Sequence, residues 1–170
     1  MTSSKANNVK EYPMQIKKAE PDDLPSILAL QKAAYRSEAV LLGDDAIPPL
    51  TQTLEELSDE YVEGLILKAV LEGIIIGSVR AFSDGRTCYI GKLMVSPEHQ
   101  RKGYGSRLLA AIENLWPHRR FELFTSDKSA GNIRLYEKSG YSFFRKRQMS
   151  PHLKFVYLEK NVPMPGTVSQ

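Results

Sequence analysis

Residues 99 to 109 read HQRKGYGSRLL. Gly103 and Gly105 stand two apart, directly behind Arg101 and Lys102 and directly before an apolar run. Downstream, Leu108, Ile112, Leu115 and Trp116 recur at helical spacing until Pro117 stops the pattern, so a helix is expected from about Ser106. Upstream, TCYIGKLMV (87 to 95) is rich in strand-forming residues. The glycines therefore lie on a loop that feeds a helix amino terminus. Such a terminus is partially positive and has free NH groups, and glycine lets a bulky anion approach without a β-carbon in the way. A phosphate meets both conditions, and so does a tight turn surrounded by solvated basic residues.

Working outward, the elements alternate in type with no internal repeat. MQIKKA (14 to 19) reads as a strand and residues 21 to 39 as a helix, with acids in its first turn and Leu24, Ile27 and Leu28 on one face. Pro48 and Pro49 mark a break, after which Thr51 or Thr53 caps a second helix that ends at Gly64. LILKAVLEG and IIIGSVRAFSDG form a hairpin about Glu72 and Gly73. Beyond the central helix come a strand, RFELFTS, a short helix closed by Gly140, and two final strands, YSFFRKRQM and HLKFVYLEK. Early hairpins followed by strand-helix-strand units predict an α/β (α+β) fold. Its mixed, mostly antiparallel sheet has six or seven strands, with about four helices on its two faces. Residues 12–160 form one domain, with a flexible leader at 1–11 and a peripheral tail at 161–170.

Composition sets the outer bounds. At 170 residues, 42% hydrophobic and 25% charged, the chain has an ordinary globular make-up. Cys88 is the only cysteine, which excludes an internal disulfide and a cysteine metal cluster, and a reducing cytoplasm is the expected home. The opening MTSSKANNVK is polar, and no run approaches the roughly 18 apolar residues that a membrane span needs. From Ser37 to Leu67 there are eight acids and no Lys or Arg, so against a net charge of +3 the rest of the chain carries +11. The acids fit a solvated helix face, or a surface that draws a cation.

Two familiar phosphate loops do not fit. A Rossmann fingerprint requires a third glycine where Leu108 stands, and the G-x-x-x-x-G-K-[ST] pattern is absent. YIGKLMVSPEHQRKGYGSRLLAAIE (89 to 113) instead resembles the acyl-CoA signature of the GNAT superfamily of N-acyltransferases. Gln100, Gly103 and Gly105 fill its [QR]-x-x-G-x-[GA] pattern. NIRLYEKSGY (132 to 141) is similar to the same family's later N-x-x-x-Y-E-K-x-G-[FY] segment. The resemblance spans roughly residues 13 to 160.

That resemblance implies acetyl-CoA as cosubstrate, no metal, and transfer of the acetyl group to a primary amine by direct attack in a ternary complex. It implies that the backbone of Leu93, Met94 and Val95 pairs with the pantetheine arm. The pyrophosphate would rest on NH groups from Arg101 through Ser106, within a binding segment of Gln100, Arg101, Lys102, Gly103, Tyr104, Gly105 and Ser106. Asn132 would contact the CoA arm near the thioester, and Tyr136 would protonate the departing thiolate. The chemistry itself asks for such a group: expelling a thiolate needs a proton source, and a tyrosine of reference pKa about 10 stays protonated at neutral pH. Tyr136 also fits a plain core aromatic.

Glu122 and Glu38 are the candidate general bases, with a water chain as the other possibility. His99, His118 and His152 fall in a loop or at element ends. If the acidic segment overhangs the acceptor mouth, a cationic amine is favoured, either a small molecule or a peptide amine. A catalytically silent CoA-binding sensor is the alternative. Basic residues clustered at one helix start, rather than interleaved with exposed aromatics, argue against nucleic acid as a partner. No membrane partner is expected, and a homodimer is left open.

Overall fold

Glu72 and Gly73 both adopt positive φ, 51° and 79°, in the two-residue turn whose twist matches that of its flanking strands. Across it β2 (Leu65–Leu71) pairs antiparallel with β3 (Ile74–Ser83). The computed structural model describes residues 12–163. The leader expected at 1–11 and residues 164–170 of the expected tail lie outside the described residues. With β1 (Gln15–Lys18), β4 (Thr87–Val95), β5 (Arg120–Ser126), β6 (Ser142–Ser150) and β7 (Leu153–Asn161), these strands form one seven-stranded sheet of order β1-β2-β3-β4-β5-β7-β6. Every pairing is antiparallel except β4 with β5. This is the expected mixed α+β sheet.

Alternation along the strands sorts the core into two layers. Neighbouring residues of a strand point to opposite faces, and Ile66 and Leu67 show it. Leu67 joins Val79, Phe121, Leu158 and three fully buried residues of helix α5 (Tyr104–Leu115), namely Leu108, Leu109 and Ile112. Ile66 joins Met94, Leu57 of α4 (Leu54–Glu63), and Leu24, Ile27 and Leu30 of α1 (Leu24–Ala34). Each such Leu or Ile contributes about 1.5–3 kcal/mol through burial. Helix α6 (Ala130–Lys138) packs Tyr136 into the first layer. Cys88 is buried in it too, and burial pushes its thiol up to about 12, so it is inert as a nucleophile.

The helix expected over residues 21 to 39 is divided. A 3-10 turn at Pro21–Asp23 leads into α1, and the chain bends at Tyr35 (φ −89°, ψ 0°) before α2 (Arg36–Leu42). The buried stripe of α1 runs through Leu24, Ile27, Leu30 and Gln31, whereas α2 buries only Ala39. The bend falls where the stripe ends. Pro48–Thr51 forms one further helical turn, α3, with proline at its start where no NH is needed. Thr53, not Thr51, caps α4: its hydroxyl accepts from Glu56 N at 3.2 Å, and the Glu56 carboxylate accepts from Thr53 N at 2.8 Å. No described helix is long and apolar enough to cross a membrane.

Candidate active site

The site begins with a strand that leaves its neighbour. β4 pairs with β5 only through Thr87, Tyr89 and the residue between them, against Arg120 to Glu122. On its other edge the β3–β4 register shifts between Ser78 and Arg80, and opposite that shift Lys92 takes φ 47°. Such a bulge bends the strand. The carboxyl half of β4 stays with β3, pairing Met94 with Ser78 and Val95 with Gly77, while its β5 side has no ladder partner. Leu93, Met94 and Val95 thus present a backbone edge with no strand partner, where an extended ligand could pair. Met94 is buried in the core, so only its backbone can serve.

Past Val95 the chain makes a short 3-10 turn, Pro97–His99, where Ser96 Oγ and His99 Nδ1 lie 2.6 Å apart. Gln100 Nε2 donates to the Val95 carbonyl at 3.1 Å and fastens the loop to the strand end. Arg101 (φ 63°) and Gly103 (φ 81°) are both left-handed, the kind of backbone that gathers NH groups into an anion-binding concavity. α5 starts at Tyr104, two residues earlier than expected, with Gly103 as its N-cap. Arg107 N makes the bond to Gly103 O at 3.2 Å, so the NH groups of Tyr104, Gly105 and Ser106 have no intrahelical acceptor. No side chain caps this end and its first turn has no acid. A β-carbon built on Gly103 would meet nothing within 4 Å, whereas one on Gly105 would touch Leu135 and Val95 at 3.4 and 4.0 Å. Gly103 therefore faces open space, and Gly105 marks where α5 passes α6. The set fits a diphosphate. Arg101 and Lys102 are exposed beside it, while Arg107 donates to the Met14 carbonyl at 3.2 Å.

Next to the gap lies a cavity of about 450 Å³. Tyr136, Asn132, Leu93 and Glu38 all line it, joined by Tyr35 from the bend between α1 and α2. Burial, and secondarily the charge of Glu38, pushes the Tyr136 hydroxyl well above the usual tyrosine range. Burial likewise raises the Glu38 carboxyl above the ordinary carboxylate value and Tyr35 above the ordinary tyrosine value. Asn132 Nδ2 donates to Thr125 Oγ1 at a long 3.4 Å. A proton donor and a carboxylate that holds its proton more tightly than usual thus share one desolvated space.

Glu122 lies elsewhere. It pairs with Arg120 at 2.6 Å, and Arg120 also holds Glu159 at 2.8 Å. None of the three histidines lines the cavity. His118 is held by Ser83 Oγ at 2.5 Å and the Trp116 carbonyl at 2.9 Å. Among the described residues no three His, Cys, Asp or Glu side chains converge as a metal site.

The model of the acetyltransferase (GNAT) family matches residues 24–141, from the first helix through the end of the second sequence motif. The chain belongs to that family. Among curated relatives, mycothiol acetyltransferase of Kineococcus radiotolerans is 29% identical over 137 residues, covering 75% of this chain and 43% of its own length. The chain spans less than half the length of the curated relatives it matches. The PaiA N-acetyltransferase of Thermoplasma acidophilum, solved with coenzyme A, superposes with a TM-score of 0.74 at 17% identity over 89% of this chain and all of that one. The ribosomal-protein-S18-alanine N-acetyltransferase of Escherichia coli gives 0.75 at 17% identity, over 91% and 97% of the two chains. These likenesses show that the fold is the GNAT fold.

Within that fold the cavity carries groups that sequence reading missed. Arg80, only 5% exposed, donates to Gln52 Oε1 at 3.0 Å and to Gln31 Oε1, and pairs with Glu60. Gln52 in turn donates to Glu60 at 2.8 Å and accepts from Gln31 at 2.9 Å. The network ties α1 and α4 to β3 and builds one wall. A lone arginine inside the apolar run IIIGSVRAF was the available signal. Lys92, also in the wall, had the same signal within YIGKLMV.

Proposed function

We propose that this acetyltransferase moves an acetyl group from acetyl-CoA to a primary amine by direct attack in a ternary complex. The observation that carries the proposal is the shared burial of Tyr136 and Glu38 in the cavity beside the β4–β5 gap. Bound acetyl-CoA supplies the acetyl group as an activated thioester. Leu93, Met94 and Val95 hold the pantetheine arm through their unpaired backbone edge, and Asn132 contacts it near the thioester. The NH groups from Arg101 through Ser106 hold the pyrophosphate, with Arg101 and Lys102 adding charge.

Glu38 draws the ammonium form of the acceptor into the cavity, then takes its proton to expose the nitrogen lone pair. Its raised affinity for protons makes it a stronger base than an exposed carboxylate. Tyr136 holds its proton across the neutral range and delivers it to the departing sulfur, and the second proton, shed by the acetylated nitrogen, restores the tyrosine hydroxyl. Glu122 is committed to Arg120, so of the two carboxylates this reading takes Glu38 as the base.

Tyr136→Phe tests this reading because it keeps the ring and deletes the donor. Turnover should fall about 100-fold to 10,000-fold while acetyl-CoA affinity barely moves. Undiminished turnover would remove Tyr136 from the chemistry. A wild-type protein that binds acetyl-CoA but acetylates no amine would be a sensor instead.

A further inference from the structure

We propose that Lys92 reads an anion on the acceptor, so that the amine acetylated here also carries a carboxylate beside an apolar body. The inference rests on the acetyltransferase reading and specifies its acceptor.

Three observations about Lys92 converge. Lys92 lines the cavity that holds Glu38 and Tyr136, and also borders an adjoining depression with Gln52 and Glu60. Its backbone sits at φ 47°, a conformation that suits glycine and that a lysine rarely adopts. Its ammonium has no ion-pair partner among the described residues, whereas Lys68, Arg80, Arg120 and Lys160 all do. A half-buried cation on a strained backbone, at the wall of the cavity, is left without an ion-pair partner of its own.

The surrounding charges leave it so. Glu60, the carboxylate whose charge acts on it, is engaged by Arg80 and by Gln52. Arg80 adds a second positive charge, and its buried Nε has no partner. Burial, then the charge of Arg80, lowers the affinity of Lys92 for its proton, and Glu60 opposes this. An incoming carboxylate would supply the missing partner in a charge-assisted bond. Glu38 and Glu63 supply the opposite sign for the amino group. Around the rim, Phe82 stacks with Tyr89 at 6.4 Å and Phe124 lies 4.8 Å from Phe155; all four rings line the cavity. Phe82 and Phe124 are half exposed, an aromatic surface for the acceptor's apolar part.

Matched probes test the inference: L-phenylalanine, L-phenylalaninamide and 2-phenylethylamine, each assayed with acetyl-CoA. The expected result is a kcat/KM for L-phenylalanine at least about tenfold above that of either uncharged-end probe, which is one charge-assisted contact's worth of discrimination. Lys92→Met should erase that preference mainly through KM. Lys92→Gly, which suits the left-handed backbone, should erase it too while keeping the melting temperature near wild type, so a packing role is separable. Equal rates for the three probes, a preference that survives both variants, or acetylation of none of them by a protein that acetyl-CoA stabilises would each overturn the inference. If acetyl-CoA fails to raise the melting temperature, the acetyltransferase reading falls first and takes this one with it.

Discussion

At the scale of single residues, Glu38 combines a cost to stability with the proposed role of base. Its folded-state pKa is raised by burial, so the folded protein binds this proton more tightly than the unfolded chain does. Stability therefore falls as pH rises from the ordinary carboxylate value through the raised one, and is lowest in this respect once Glu38 is fully ionised. Glu38→Gln should leave the melting temperature at pH 7 unchanged or higher, yet reduce kcat by about 100-fold or more and abolish the acidic limb of the kcat profile. A variant that is less stable at pH 7 and keeps that limb would show Glu38 to be structural. Tyr136 and Asn132 were picked out through motif spacing and Glu38 only as one of two candidate bases; the fold brings all three to one cavity. The company of Glu122 was legible only in part: Arg120 and Glu122 are two apart on a strand, hence on one face, but Glu159 reaches them from β7, opposite Glu122 in the register. That second carboxylate would repel Glu122 without Arg120 between them.

At the scale of elements, the loop proposed to hold the pyrophosphate couples a left-handed conformation to open space. Gly103 at φ 81° would strain any side chain by roughly 1–2 kcal/mol. A β-carbon there would meet no protein atom, so the space is open to a ligand. Gly103→Val should keep near-native circular dichroism while weakening acetyl-CoA at least tenfold by calorimetry; normal binding would reduce the loop to a turn. Leu57, fully buried between α4 and the sheet, tests what holds the cavity wall. Leu57→Ala should cost about 2–5 kcal/mol in denaturant unfolding, and a loss under 1 kcal/mol would show that α4 is not anchored there. The bounds of the strands, the hairpin and the α5 start were readable to within two residues because turn chemistry and periodicity are local. The break at Tyr35 was not, and the open edge of β4 at Leu93, Met94 and Val95 was implied only by the family resemblance. Both depend on where buried stripes end and on a bulge opposite Val79, which are tertiary facts.

At the scale of the whole molecule, charge separation survives folding in altered form. Of the eight acids between Ser37 and Leu67, only Glu38, Glu60 and Glu63 line the cavity, and Arg80 and Lys92 stand among them. The sequence sum left open a solvated acidic face or an acidic acceptor mouth; the folded cavity holds both signs, because strands β3 and β4 bring their own cations to it. A ligand that binds only the native state adds about 2.7 kcal/mol at 100 times its dissociation constant. For a chain of this size each kcal/mol shifts the melting temperature by about 2–4 °C. Acetyl-CoA should thus raise it by several degrees and NAD or ATP far less; equal shifts from all three would leave the loop a general anion site. The most direct test is to incubate the protein with acetyl-CoA and a panel of primary amines, following free thiol and acetylated amine together. One thiol released for each amine acetylated, with release dependent on the amine, is the expected result. Thiol release that is independent of every amine, or bound acetyl-CoA that stays intact with all of them, would contradict an N-acetyltransferase.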